Sequence, residues 1–516
     1  MSRMQRVAAQ GGGELTVASV TRHFARLEPG KRALYDGQRS LTYAELDAQA
    51  DKLARSLVGA GVERGDVVSA YLPNSIDYVV VVLAVARSGA IFSPINPRYK
   101  VFEVGAILRQ ARPKVIFTTA AQSPVVAAAL GDGGRGTRIA IADSPSPLGE
   151  GRGEGAQLPS LSDSDFFTLM FTSGTTGEPK GAMATHRARM IWVLNAAIQY
   201  GLDERDLYLG TMPQVHSAGL TFTLMHLYVG ATVRILPHFD PAEFVDVVER
   251  ERVTSALTVP TMLTMIVEEI DKRAQRPALS SLERLVTCGS PLPLNTKKRV
   301  LEVVTDQLYD YYGSTECNSM TVLRPPDQLR KPDSVGQPFR NVELMIADEA
   351  GEPLAAGEVG EVWCANPSVM TTYRDRPEDT ARAFTGKWFH TGDLGYLDAD
   401  GFLHLVSRRS DVVISGGVNI YPAEIEQVLM LHPSILDAAV VGEPDPKWGQ
   451  RVKAFVVVRE GESLDLEAIQ RHCTAHLADF KKPRNVVFVP SLPKNAGGKT
   501  VKLALQGGDG GRGTGT

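Results

Sequence analysis

The chain predicts an α/β protein with more than one domain, on three observations. Short apolar runs alternate with helical stretches through about residue 345. From Val342 the pattern changes to short strands separated by turns, and it changes again after about residue 410. A length of 516 residues also exceeds what one ordinary core accommodates.

Residues 41–60 have helical periodicity, with Leu46, Ala50, Leu53, Ala54 and Leu57 on one face. Thr42 and Glu45 have the spacing of a capping box at its start. Val67–Leu72 reads as a strand stopped by Pro73-Asn74. The apolar run Val79–Ala86 lies between Asp77 and Arg87 and is far below the ~20 residues of a membrane span, so it reads as a buried element. Lys114–Thr118 is another strand, and Phe166–Phe171 is a third, directly before a glycine-rich loop. Residues 143–158 and 504–516 are low in complexity and are expected to be disordered. Val342–Ile346, a turn at Asp348–Gly351 and Glu361–Ala365 mark a β-rich subdomain. Beyond it, Ile425–Leu431 and Leu466–Leu477 read as helices, and Ala438–Val441 and Val452–Val458 as strands. Together they make a small α+β unit after a boundary near 410. The expected domains are 15–409 and 411–503.

A net charge of −4, from 55 basic and 59 acidic residues, gives no electrostatic case for nucleic acid or an anionic membrane. The four cysteines, Cys288, Cys317, Cys364 and Cys473, are far apart and form no CxxC pair, which fits a reducing cytoplasm without structural zinc. Arg3 and Arg6 are followed by no apolar segment of a secretory signal.

The most informative stretch is Thr172-Ser173-Gly174-Thr175-Thr176-Gly177-Glu178-Pro179-Lys180-Gly181. Glycines allow close backbone approach, hydroxyls and N–H groups donate to phosphate oxygens, and Lys180 adds charge. The pattern is not a Walker A loop. A flexible linker is the alternative, disfavoured by Pro-Lys-Gly so soon after an apolar strand. Four further motifs follow. They are Tyr312-Gly313-Ser314-Thr315-Glu316, His390-Thr391-Gly392-Asp393, Arg408 with Ser415-Gly416-Gly417, and Pro493-Lys494-Asn495-Ala496-Gly497-Gly498-Lys499.

In this order and spacing the five resemble the AMP-dependent synthetase and ligase family, the acyl-adenylate-forming enzymes that include acyl-CoA synthetases. The resemblance implies a large N-terminal domain with stacked, mostly parallel sheets and a β-rich subdomain, plus a small mobile α+β C-terminal domain. It implies ATP-dependent conversion of a carboxylic acid to acyl-AMP with release of pyrophosphate, then thioester formation with coenzyme A. Joining two anions requires the site to neutralise charge as the pentacoordinate state forms. By resemblance, Thr172, Ser173, Gly174, Thr175, Thr176, Gly177 and Lys180 hold phosphates. Glu316, with Thr176, holds Mg²⁺, a hard cation suited to oxygen ligands. Gly289, Ser290, Asp310, Tyr311, Tyr312, Gly313 and Thr315 belong to the nucleotide site, with Tyr312 against adenine and Asp310 near its amine. Asp393 accepts from the ribose hydroxyls, with Arg408 beside the sugar. Lys499 bridges carboxylate and α-phosphate and is the catalytic cation, a role suited to a flexible ammonium. Thr176 and His216 complete the catalytic set. His216 reads as a gate or acyl-positioning group, or as a satisfied core histidine. Gly416 and Gly417 line the pantetheine tunnel after the C-terminal domain rotates. Ser410 occupies the hinge position, where the family has Asp or Lys.

The resemblance further implies an acyl pocket built from Gln214–Leu220, Ala256–Pro260, Cys288–Pro293 and Tyr312–Ser314. These segments contain no arginine to pair a second carboxylate, and Gln214–Ser217 has no Asp to pair an α-ammonium group. A fatty or aromatic monocarboxylic acid remains. The expected partners are that acid, ATP and CoA, with no nucleic acid and no membrane span; a homodimer stays open. Acyl transfer to a carrier-protein phosphopantetheine, a luciferase-like oxidation and a non-catalytic nucleotide-binding homologue are the competing readings.

Overall fold

The computed structural model describes residues 14–131, 136–142, 147–148, 153, 155–172, 179–415, 418–446, 448–478, 481–494 and 500–506. Two large sheets make the first part of the chain. One has nine strands, with a parallel centre built from 32–35, 232–235, 207–210, 255–258, 284–288 and 308–314. The antiparallel strand Asn318–Leu323 follows at one side. The other has seven, with parallel pairing among 138–141, 115–118, 67–71, 91–94 and 166–172, then antiparallel Lys180–Thr185 and Thr372–Tyr373.

The helix Ile76–Ser88 shows why the first part needs two sheets. Its residues from Tyr78 through Ala86 are all buried, so it has no solvent face. A run of four valines, Val79–Val82, therefore belongs inside, each contributing roughly 1.5–3 kcal/mol of transfer free energy. Ser75 caps it by accepting from the Tyr78 N–H, and Gly89 ends it at φ +75°. Tyr43–Gly59 packs on it, and its expected capping box is present: Glu45 N–H donates to Thr42 Oγ1 and Thr42 N–H to Glu45 Oε2.

A third sheet follows from the strands 343–347, 360–365, 384–385, 388–397 and 403–408. A fourth contains 413–415, 418–420, 435–445, 449–458 and 485–488, covered by the helices Pro422–Met430 and Leu466–His476. Arg409–Asp411 is a single 3₁₀ turn between these two sheets.

Two expectations of disorder change. Leu148 is 5% exposed and belongs to the main core cluster, while Arg55 donates to the Ala156 carbonyl, so the described part of 143–158 docks on the helix Tyr43–Gly59. At the other end, Leu503–Gln506 is a helical turn and Leu505 is buried against the fourth sheet's cluster. The first three residues of the expected tail, 504–506, are therefore structured, and the rest, 507–516, lies outside the described residues.

Candidate active site

The site lies at the carboxyl ends of parallel strands from both large sheets, where open α/β sheets place their ligands. Phe166–Thr172 ends one sheet's contribution and Leu308–Ser314 the other's. Glu316 joins them: its Oε1 accepts from Thr172 Oγ1 at 3.2 Å and from Tyr373 Oη at 3.2 Å. Its Oε2 accepts from no group among the described residues. That leaves one hard carboxylate oxygen in a fixed orientation, the donor a Mg²⁺ shared with substrate phosphates would take. No group of three or more His, Cys, Asp or Glu among the described residues forms a metal cage, so the substrate would have to supply further ligands.

Phe166–Thr172 and Lys180–Thr185 pair antiparallel, with Thr172 opposite Lys180, so the glycine-rich segment joins two strands of a hairpin. Lys180 Nζ is 3.0 Å from Asp379 Oδ1 and lies over the Tyr373 ring. Arg382 and then Lys180 push the Asp379 carboxyl down to about 2. Ser173, Gly174, Thr175, Thr176, Gly177, Gly416, Gly417 and Lys499 lie outside the described residues.

Tyr312, Asp393 and Arg408 form a second cluster. Tyr312 Oη donates to Asp393 Oδ2 at 2.5 Å, and Arg408 Nε is 3.2 Å from Asp393 Oδ1. Asp393 and Arg408 are directly opposed on neighbouring strands, so the sheet register itself brings them together. Gly313 follows from packing: a Cβ there would sit 1.9 Å from the Asn318 carbonyl oxygen. Asp310 is buried, and desolvation raises its carboxyl to about 6 against the opposing pull of Lys297. Tyr311 requires a correction. Strand alternation sends its ring to the opposite face, where it stacks on Phe222 in the core, so its side chain is not on the Asp393 face.

A cleft lies beside Glu316, lined by Pro94, Asn96, Tyr99, Met170, Phe171 and Ile107 opposite Val215, His216, Ser217 and Thr315. Of the four expected pocket segments, only 214–220 contributes to this lining. Gly289 and Ser290 follow the strand Arg284–Cys288, with Gly289 at φ +94°, and neither lines the cleft. The loop at Asn96–Tyr99 and the strand Phe166–Thr172 supply walls that spacing alone did not suggest. His216 is the N-cap residue of the helix Ser217–Tyr228. Its Nε2 is buried without a hydrogen-bond partner, and burial, then Arg98, holds its pKa below the ordinary value, so the ring is neutral at pH 7. The pocket segments themselves carry no arginine, but Arg189, from the helix His186–Tyr200, reaches one of them from outside and donates to Ser217 Oγ at 2.8 Å.

At the hinge position Ser410 Oγ donates to Asp411 Oδ1, while the neighbouring Arg409 reaches Glu361 at 3.2 Å.

With this geometry in place, comparison with known proteins is decisive. The AMP-binding enzyme family profile matches residues 21–374, and that of the AMP-binding enzyme C-terminal domain matches residues 424–499. The chain belongs to the AMP-binding enzyme family. It is 36% identical to a 2-succinylbenzoate–CoA ligase of Geobacillus kaustophilus, over 93% of this chain and 96% of that one. It is also 36% identical to a feruloyl-CoA synthase of an Amycolatopsis species, over the same shares. The solved o-succinylbenzoate CoA synthetase of Bacillus subtilis with its acyl-adenylate intermediate superposes with a TM-score of 0.85 at 28% identity, covering 96% of this chain and 99% of that one.

In this AMP-binding enzyme, three residues near the site escaped sequence reasoning: Tyr373, Asp379 and Arg189. Tyr373 and Asp379 come from one short segment, 372–380, held together by Thr380 Oγ1 accepting from the Tyr373 N–H at 2.9 Å. Their sequence signal is weak, because nothing local marks a tyrosine that meets a glutamate 57 residues away. Arg189 had no distinct signal either, because Arg187 lies two residues away in the same helix, with His186, Asn195 and Gln199. No helix among the described residues is long and apolar enough to cross a membrane.

Proposed function

We propose that this enzyme activates an aryl-bearing carboxylic acid, with the nucleotide held by the Glu316 and Asp393 clusters and the acid in the His216 cleft. The reaction is that of an AMP-forming acid–thiol ligase. A carboxylate oxygen attacks the α-phosphorus of ATP, giving acyl-AMP and pyrophosphate. The CoA thiol then attacks the acyl carbonyl, and AMP leaves with the bridging oxygen. The observation that carries the reading is the adjacency of Thr315 and Glu316: one lines the acid cleft, and the next holds its carboxylate ready beside Thr172. Acid and phosphates therefore meet across a single peptide.

Each residue has a distinct part. Asp393, fixed by Tyr312 and Arg408, accepts from the ribose. Glu316 would hold Mg²⁺, which would supply charge neutralisation at the phosphates. Lys180, poised against Asp379, serves the phosphates with the segment 173–178. Lys499 is the cation for the adenylation step, and Gly416 and Gly417 border the thiol path once the domain turns at 409–411. Neutral His216 positions the acyl group without adding charge.

The aryl preference rests on the cleft's flat and polarizable lining, Tyr99, Phe171 and Met170, which suits a ring. The ring-bearing acids named for its relatives, 2-succinylbenzoate and ferulate, agree with it. All four cysteines are free and buried, which supports a cytoplasmic setting. A panel of ferulate, indole-3-acetate, benzoate, octanoate and palmitate with ATP, Mg²⁺ and CoA, scored by acyl-CoA mass, tests the reading. Aryl-CoA products are expected. Pyrophosphate without acyl-CoA would refute thioester formation, and faster turnover of the fatty acids would refute the aryl preference.

A further inference from the structure

Arg189 is 1% exposed, yet no carboxylate among the described residues pairs with it. Its four hydrogen-bond partners are neutral. Nη1 donates to Ser217 Oγ at 2.8 Å, Thr221 Oγ1 at 3.0 Å and Asn318 Oδ1 at 3.5 Å; Nη2 donates to Thr168 Oγ1 at 3.1 Å. The Nε–H has no partner, and the guanidinium stacks over Trp192. Burial alone pulls its pKa down to about 10. A buried charge without a counter-charge is costly, and natural proteins retain such groups chiefly where something else requires them.

What it lies behind is the acid cleft. Ser217 lines that cleft next to His216 and Thr315, and its Oγ already accepts from Arg189. The serine proton cannot point back at a guanidinium, and Ser217 Oγ donates to no group among the described residues. It is therefore left to donate into the cleft. Ser217 is also the first residue of a twelve-residue helix, so the positive end of the helix dipole lies at the same place.

We propose that Arg189, acting through Ser217, is a positioning residue that makes the cleft wall selective for the carboxylate of the incoming acid. The inference rests on the acid-ligase reading and extends it to a residue outside the lining. The acid enters as an anion and must shed water against Pro94, Ile107 and Met170. The guanidinium behind the wall offsets that loss, and the Ser217 hydroxyl orients one carboxylate oxygen. Adenylation removes the acid's charge, so the help is spent on binding acid and not on the chemical step; it belongs in KM.

The test compares ferulate with its neutral carboxamide, and indole-3-acetate with its carboxamide, by equilibrium titration of the full-length enzyme. The wild type is expected to favour each acid over its amide at least tenfold. Arg189→Met and Ser217→Ala should reduce that ratio several-fold by weakening the acid alone, with acid KM raised and kcat unchanged or raised; Arg189→Lys should retain most of it. If Arg189→Met does not fold, Ser217→Ala carries the test, because it removes one hydroxyl and leaves the other three partners. Equal wild-type affinity for acid and amide, or parallel loss of both in Ser217→Ala, would show that Arg189 only pins the surrounding elements together. Acyl-CoA formation by the wild type is scored separately, so loss of this inference leaves the ligase reading standing.

Discussion

The proposed nucleotide side and the proposed acid side of the site treat charge in opposite ways. On the nucleotide side three acids are already engaged: Asp393 by Tyr312 and Arg408, Asp379 by Lys180 and Arg382, and one oxygen of Glu316 by two hydroxyls. On the acid side, among the described residues, Arg189 has no acid and His216 Nε2 has no partner. A site that meets the same triphosphate every cycle gains from donors and acceptors fixed in advance. One that must recognise a particular acid keeps groups whose partner arrives with the substrate.

Lys499 offers the largest way to break this contrast, since it would enter where the two sides meet. Lys499→Ala is expected to slow adenylation by roughly 10²–10³, the usual cost of one electrostatic stabiliser of a charge-developing step. Thioester formation from supplied acyl-AMP should change only a few-fold. Measured in separate half-reactions, equal loss in both would show that the fixed groups of the nucleotide side do not suffice for the second step.

The two ends of the helix Ser217–Tyr228 repeat the contrast in histidines. His226, toward the C-terminal end, is fully buried with both ring nitrogens engaged, by the Phe222 carbonyl and Ser255 Oγ. Burial holds its pKa near 4, below the ordinary 6.5. Between those values the unfolded chain binds a proton that the native one refuses. The stability from neutral His226 is thus complete above pH 6.5 and lost as pH falls through 4, at about 3 kcal/mol. Denaturant midpoints should fall over that range, and His226→Phe should shrink the fall while lowering stability at pH 7. His216→Ala, at the partnerless end, should raise acid KM and leave the pH 7 midpoint nearly unchanged. An equally large stability loss there would make His216 a core histidine after all.

The clustering around Glu316 and Asp393 was legible because those residues sit in short motifs. Glu316 follows an aromatic-glycine pair by a fixed spacing, and Asp393 and Arg408 fall on strands whose register aligns them. The capping box at Thr42 and Glu45 was legible for the same reason, since both partners lie within one turn. Tyr311 and Tyr312 show the limit. Alternation says that adjacent residues face opposite ways, but only the packed sheet says which tyrosine meets Asp393. Arg189 and Ser217 are 28 residues apart on different helices, so their contact depends on tertiary packing that no local pattern encodes.

Tyr373 supplies the finest test of how far the nucleotide side is set in advance. Its hydroxyl donates to the same Glu316 oxygen as Thr172, so Tyr373→Phe keeps the ring under Lys180 and removes one of two restraints. A hydrogen bond to a charged acceptor contributes about 1.5–3 kcal/mol at most, and Thr172 remains, so the loss should be near 1 kcal/mol. That amounts to roughly a five-fold rise in the Mg²⁺ concentration giving half-maximal ATP binding, read by calorimetric titration without acid or CoA. Acid affinity should not move, because Tyr373 lies on the nucleotide side and outside the cleft lining. If Mg²⁺ dependence stays the same while acid affinity falls, the hydroxyl shapes the cleft and the two sides are coupled. If both stay the same, Thr172 alone fixes Glu316, and the carboxylate's orientation comes from the meeting of the two sheets at the strand ends.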